Sequence, residues 1–185
     1  MLFRSRPHLL RLADVTKETV KLGILSGGGA LILSAIESPF ALHTRGDEGR
    51  RAPVHCTSIG KALLAALPDE EIGEILASRT LPRFSANTIT TAEALQEEIA
   101  RIREQGYALD CEENEPGVRC VSALIPGTGR SAAAGISVSG PTSRISEERL
   151  LELVTQVRET AASIATALSA QSTSRARFRR AGMGS

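Results

Sequence analysis

The 185 residues suit one domain or two small ones, and 42% hydrophobic with 23% charged residues excludes wholesale disorder. Aromatic residues make up only 3%, so the core must rest on Leu, Ile, Val and Ala, and Phe40, Phe84 and Tyr107 are too few for a base-stacking surface. The net charge of +1 is uneven: Arg175, Arg177, Arg179 and Arg180 crowd an acid-free end, and without them the chain is net negative, a poor nucleic-acid surface.

In chain order, Leu9, Leu10, Leu12 and Ala13 predict a short helix opened by Pro7, with residues 1–7 as residual linker. The apolar runs Val20–Leu25 and Ala30–Ile36, joined through Ser26-Gly27-Gly28-Gly29, predict a hairpin. A third extended run, Phe40–Thr44, ends at the turn Gly46-Asp47-Glu48-Gly49. Ser58–Leu67 reads as a small-residue helix, broken by Pro68 before another that opens on Asp69-Glu70-Glu71. Thr90-x-x-Glu93 is a capping box for a helix stopping at Gly106. Strands follow at Tyr107–Cys111, Val118–Ile125 and Ala132–Ser139, with Pro126-Gly127-Thr128-Gly129 turning between the last two. Ser146 caps a final helix whose stripe, from Leu150 to Leu168, ends near residue 169. Residues 171–185 carry no apolar period and read as a disordered basic tail whose terminal Gly-Ser is a cloning scar. The order of elements indicates an α+β domain with an antiparallel sheet.

Most chemical motifs fail on inspection. Cys56, Cys111 and Cys120 are an odd number without C-x-x-C spacing, which fits a reducing cytosol. There is no apolar run of membrane length and no signal peptide, so the expectation is a soluble, cytoplasmic protein. Gly60-Lys61 lacks the other residues of a phosphate-binding loop, and Gly135-Ile136-Ser137-Val138-Ser139 is not a nucleophile elbow. His55 with Cys56 or Cys120 raises a thiol hydrolase or isomerase as an alternative, but neighbours on an extended segment point apart. Cys111, Cys120, His55 and Asp110 match no zinc spacing, and no cofactor or metal is expected. The acidic run Asp110, Glu112, Glu113, Glu115 is no calcium loop; Glu112 and Glu115 read as a solvated turn, whereas Asp110 ends an apolar strand.

The positive signal lies in two strands. Alternation puts Ala133, Gly135, Ser137 and Ser139 on one face of the last strand, and Val118, Cys120, Ser122 and Leu124 on one face of the strand before it. If these faces coincide, they offer hydroxyls and a thiol to a small polar ligand; on periodicity alone, serines on a solvated face explain the pattern equally well.

The segment from Gly49 to Ala65 (Gly49-Arg50-Arg51-Ala52-Pro53-Val54-His55, then Gly60-Lys61-Ala62-Leu63-Leu64-Ala65) resembles that of the isocitrate-lyase-regulator (IclR) family of bacterial transcription factors. Arg103–Ala108, Glu112–Val121 and Ile136–Arg144 agree in order, so the resemblance covers roughly residues 8–170. It implies an effector-binding domain: a curved six-stranded antiparallel sheet with helices on both sides, GAF-like. It also implies a homodimer or dimer of dimers that meets operator DNA only through an N-terminal winged helix-turn-helix. That module is absent from these residues, and truncation is the expectation. The resemblance places the effector, a small organic acid or aromatic carboxylate, against Ser58, Ile59, Asp110, Cys120, Ser137 and Ser139, with Val118, Ala41, Thr44 and Ala52 as walls. The alanines of the mouth favour an effector larger than a two- or three-carbon acid. A stand-alone oligomerisation module, tethered to nucleic acid by the arginine tail, is a further alternative.

Overall fold

A computed structural model describes residues 2–127 and 133–181 of the chain. Helix α1 (Leu2–Thr16) turns Leu9, Leu12 and Ala13 into the core. It contains Pro7 instead of starting there, so residues 2–7 are helical. Proline lacks an N–H, and only the carbonyl four residues back forgoes its bond, a local cost near a helix end.

Strands β1 (Thr19–Ser26) and β2 (Gly29–Ile36) form the expected hairpin, with Gly27 and Gly28 both at positive φ, as a two-residue turn between twisted strands requires. The third strand is not Phe40–Thr44. That segment is held by single bonds instead of a ladder: Ser38 Oγ accepts from Phe40 N, Thr19 Oγ1 donates to the Thr44 carbonyl, and Thr44 Oγ1 donates to that of Ser139. It crosses the end of the sheet, and the edge position is taken by β3 (Arg51–Ala52).

Helices α2 (Ser58–Ala65), α3 (Asp69–Ala77) and α4 (Ala92–Gln105) follow. The α4 cap falls on Thr91, whose side chain accepts from Ala94 N, one residue beyond the expected Thr90. Gly106 closes that helix at φ +81°. Strands β4 (Ala108–Cys111), β5 (Val118–Leu124) and β6 (Ala134–Pro141) lead to α5 (Glu147–Ala181), where Ser146 Oγ accepts from Arg149 N. Helical backbone therefore extends through most of the segment expected to be a disordered tail; lengthening an existing helix needs no new nucleus. Residues 182–185 and the second half of the Pro126–Gly129 turn lie outside the described residues.

The strands pair antiparallel in the order β3-β2-β1-β6-β5-β4. One face carries Val20, Leu22, Val121, Ile136 and Val138 against α1 and α5. Against the other lies α2, buried along its whole length, with α3 and α4 behind it. This is the α+β sandwich of a curved six-stranded sheet between helices.

Candidate functional site: a polar cavity between the sheet and α2

Strand register turns scattered polar residues into two rows on the α2 side of the sheet. Thr19 pairs with Ser139, Ser139 with Cys120, and Cys120 with Asp110. Two residues along, Lys21 pairs with Ser137 and Ser137 with Ser122. The faces of β5 and β6 do coincide. Ser122 and Ser58 share a hydroxyl–hydroxyl bond of 2.7 Å, which docks the start of α2 on the second row.

The turn that leads into α2 depends on Gly60. A Cβ there would stand 2.5 Å from the Pro53 carbonyl oxygen and 2.6 Å from Val54 Cα, both backbone atoms that cannot yield. Thr57 caps α2 by accepting from Gly60 N, and donates to Pro53 O at 2.5 Å.

The rows floor a cavity of about 960 Å³, roofed by residues 42–45 and walled by 114–118 and 141–143. Of the ten residues singled out from the sequence, Ser58, Ile59, Asp110, Cys120, Ser137, Ser139, Val118, Thr44 and Ala52 line it. Ala41, placed on the wall by resemblance, does not: it is exposed, and its neighbour Leu42 lines the cavity instead, in a segment that is not a strand. Ile59 tucks largely into the core beside Gly23, so its bulk narrows the cavity little.

Sequence reasoning missed the cations Lys21, Arg45, Arg50 and Arg51 on the lining. Arg50 pairs with Asp47, and Arg51 donates to Ser26 O. Lys21 was legible: in the run Val20–Leu25 it alternates with the core residues Val20 and Leu22, which sends it to the opposite face.

Ser137 Oγ is buried without a hydrogen-bond partner, in a residue that lines the cavity. A stranded hydroxyl costs about 1–3 kcal/mol, a cost that a ligand oxygen removes.

Behind the cavity lies a buried charge cluster. Lys61, 1% exposed, donates to Glu113 at 2.5 Å and to Glu98 at 3.1 Å. Asp110 accepts from Glu113 N at 2.8 Å and, more weakly, from Asn114 N. Glu113 and Glu98 thus share one ammonium, Glu98 has Arg101 as a second partner, and Asp110 lies within the field of Lys61. Burial pushes Asp110 up to about 6, against the opposing pull of the Glu113 N–H and of Lys61, and burial likewise pushes Glu113 up. The acidic turn is therefore divided: Glu115 is exposed, Glu112 accepts from Gly117 N, and Glu113 is core.

A raised carboxyl pKa has a definite sign for stability. The fold then holds a proton that the unfolded chain has released, so this stabilisation is complete below about pH 4 and is lost as pH rises to about 6. Asp110→Asn retains the acceptor oxygen and removes the titration. Urea unfolding from pH 4 to 7 is expected to show the variant gaining on wild type as pH rises; a constant difference would remove Asp110 as the source.

The thiol–imidazole alternative finds no geometry here. His55 Nε2 is bonded to Pro82 O and its ring lies against Phe84, while Cys56 Sγ donates to Asn114 Oδ1. Burial pushes the Cys56 thiol up to about 12 and Cys120 higher still, which disfavours the nucleophilic thiolate. Among the described residues, no three His, Cys, Asp or Glu side chains gather to hold a metal ion. No described helix is long and apolar enough to cross a membrane.

The fold is an α+β domain with a cavity between sheet and helix, and solved structures share that fold. The C-terminal domain of the transcriptional regulator KdgR from Escherichia coli superposes with a TM-score of 0.79 at 35% identity, over 90% of this chain and 96% of that one. An IclR homologue from Microbacterium hydrocarbonoxydans, solved in complex with 4-hydroxybenzoate, gives 0.80 at 29% identity over 90% of this chain and 67% of that one.

The family model described as bacterial transcriptional regulator IclR C-terminal matches residues 2–166, and the chain belongs to that family. The HTH-type transcriptional regulator BhcR of Paracoccus denitrificans is 45% identical over 158 residues, which are 85% of this chain but only 57% of that protein. The chain thus spans little more than half the length of that relative.

Proposed function

We propose that this domain senses a small organic acid, aliphatic or aromatic, in the cavity between the sheet and α2. As part of a longer cytoplasmic regulator, a homodimer or dimer of dimers, it shifts the arrangement of N-terminal DNA-binding modules when the acid binds. The task requires differential binding and no chemistry. The observation that carries the reading is the buried, unpartnered Ser137 hydroxyl facing a roomy polar cavity. The amides of the first turn of α2 add a partial positive charge for a carboxylate, and Ser139, Cys120 and Asp110 are set to meet the remaining oxygens. The 4-hydroxybenzoate held by the Microbacterium homologue is an acid of the class proposed.

Calorimetry and thermal shift with 4-hydroxybenzoate and short carboxylates test this. Ser137→Ala deletes an unpaired group, so the ligand-free variant is expected to melt at or slightly above the wild-type temperature. Its affinity should nonetheless fall by about 5- to 10-fold, the loss of about 1 kcal/mol of hydrogen bonding. Unchanged affinity in both Ser137→Ala and Asp110→Ala would place the ligand elsewhere.

A further inference from the structure

Resting on the reading above, we infer that Lys21 is the fixed countercharge that makes the cavity select acids and orients them. Lys21 stands on the cavity floor, half-buried, with no hydrogen bond or ion pair among the described residues. Its cross-strand partner is Ser137, the residue whose hydroxyl is buried and unpartnered. Ser137 pairs in turn with Ser122, which holds Ser58 at the start of α2. One ammonium, one free hydroxyl and a helix N-terminus therefore meet at one end of the cavity, each a donor and none of them an acceptor with a charge to place.

The other row has the opposite character. Asp110, Cys120 and Ser139 supply acceptors, and a carboxylate brought there meets the like charge of Asp110. An acid consequently lies with its carboxylate between Lys21 and Ser137, and turns its hydroxyl or other hydrogen-bond donor toward Asp110. The ligand class is a monocarboxylate with a second polar group, and the charge preference resides in Lys21.

The test compares acids with their uncharged amides: 4-hydroxybenzoate with 4-hydroxybenzamide, and lactate with lactamide, on the whole chain by calorimetry. Lys21→Met keeps the apolar stem, so the fold is retained, which an unchanged ligand-free melting temperature verifies. Wild type is expected to prefer each acid that binds over its amide. Lys21→Met should bind those acids about 10- to 100-fold more weakly and leave amide affinity unchanged, while Lys21→Arg keeps the preference for acids. If Lys21→Met binds acids as wild type does while Ser137→Ala weakens them, this inference fails and the cavity reading stands. If neither variant changes affinity, or wild type binds none of the four compounds, both fall.

Discussion

Lys61→Met is expected to lose about 3–5 kcal/mol of folding stability, seen as a lower urea midpoint at unchanged m-value. The size follows from what is left behind. Removing the ammonium strands Glu113, which has one oxygen already unpartnered in the buried state, and leaves Glu98 with Arg101 alone. The loss should shrink in mildly acidic solution, because protonated carboxyls no longer need the cation; a deficit equal at pH 5 and pH 8 would contradict the ion-pair account. The same substitution is expected to weaken acid binding. Glu113 anchors the wall that runs through Asn114, Glu115 and Pro116, since its amide donates to Asp110 and its carbonyl accepts from Thr88 and Ser85.

Arg144→Met should cost a comparable amount for a similar reason. Glu18 is only 4% exposed and receives both arms of the Arg144 guanidinium, Nε to Oε1 at 2.6 Å and a terminal nitrogen to Oε2 at 2.7 Å. Gly140 leaves room for that carboxylate: a Cβ there would stand 2.5 Å from Glu18 Oε2. The guanidinium also lies 4.7 Å from the centre of the Phe40 ring, at the root of the segment that roofs the cavity. Loss of Arg144 therefore leaves a buried anion and unpins the roof, for about 3–5 kcal/mol in urea unfolding. Arg144→Lys is expected to restore part, because an ammonium cannot reproduce the two-armed contact. Glu18→Leu with Arg144→Met should recover most of the loss; if the double variant is as unstable as the single one, stranded charge is not the cause.

The elements that were legible have local causes. Glycines at positive φ announce the β1–β2 turn and the end of α4, Ser146 announces α5, and strict alternation separates the Ser137 and Ser139 face of β6 from Ile136 and Val138. Those faces offered Val118, Cys120, Ser137 and Ser139, and the family resemblance supplied the other lining residues named from the sequence. The misreadings also share a cause. Phe40–Thr44 has the composition of a strand but is fastened by Thr19, Ser38 and Ser139, residues that its own sequence does not reveal. Ala41 was placed on the wall by resemblance, and Leu42 lines the cavity in its stead because this irregular segment lies outside the sheet.

By itself, then, the amino-acid sequence determines an α+β chain of antiparallel strands, which side chains of β5 and β6 share a face, and the family to which those motifs belong. Only the tertiary structure decides that the faces coincide, that Lys21 stands beside Ser137, and that Lys61 closes on Glu113 and Glu98. Periodicity and capping depend on neighbours within a turn or two, so they are written into short stretches of chain. Register and buried ion pairs join residues tens to more than a hundred positions apart, and they exist only once the sheet has closed and water has been excluded.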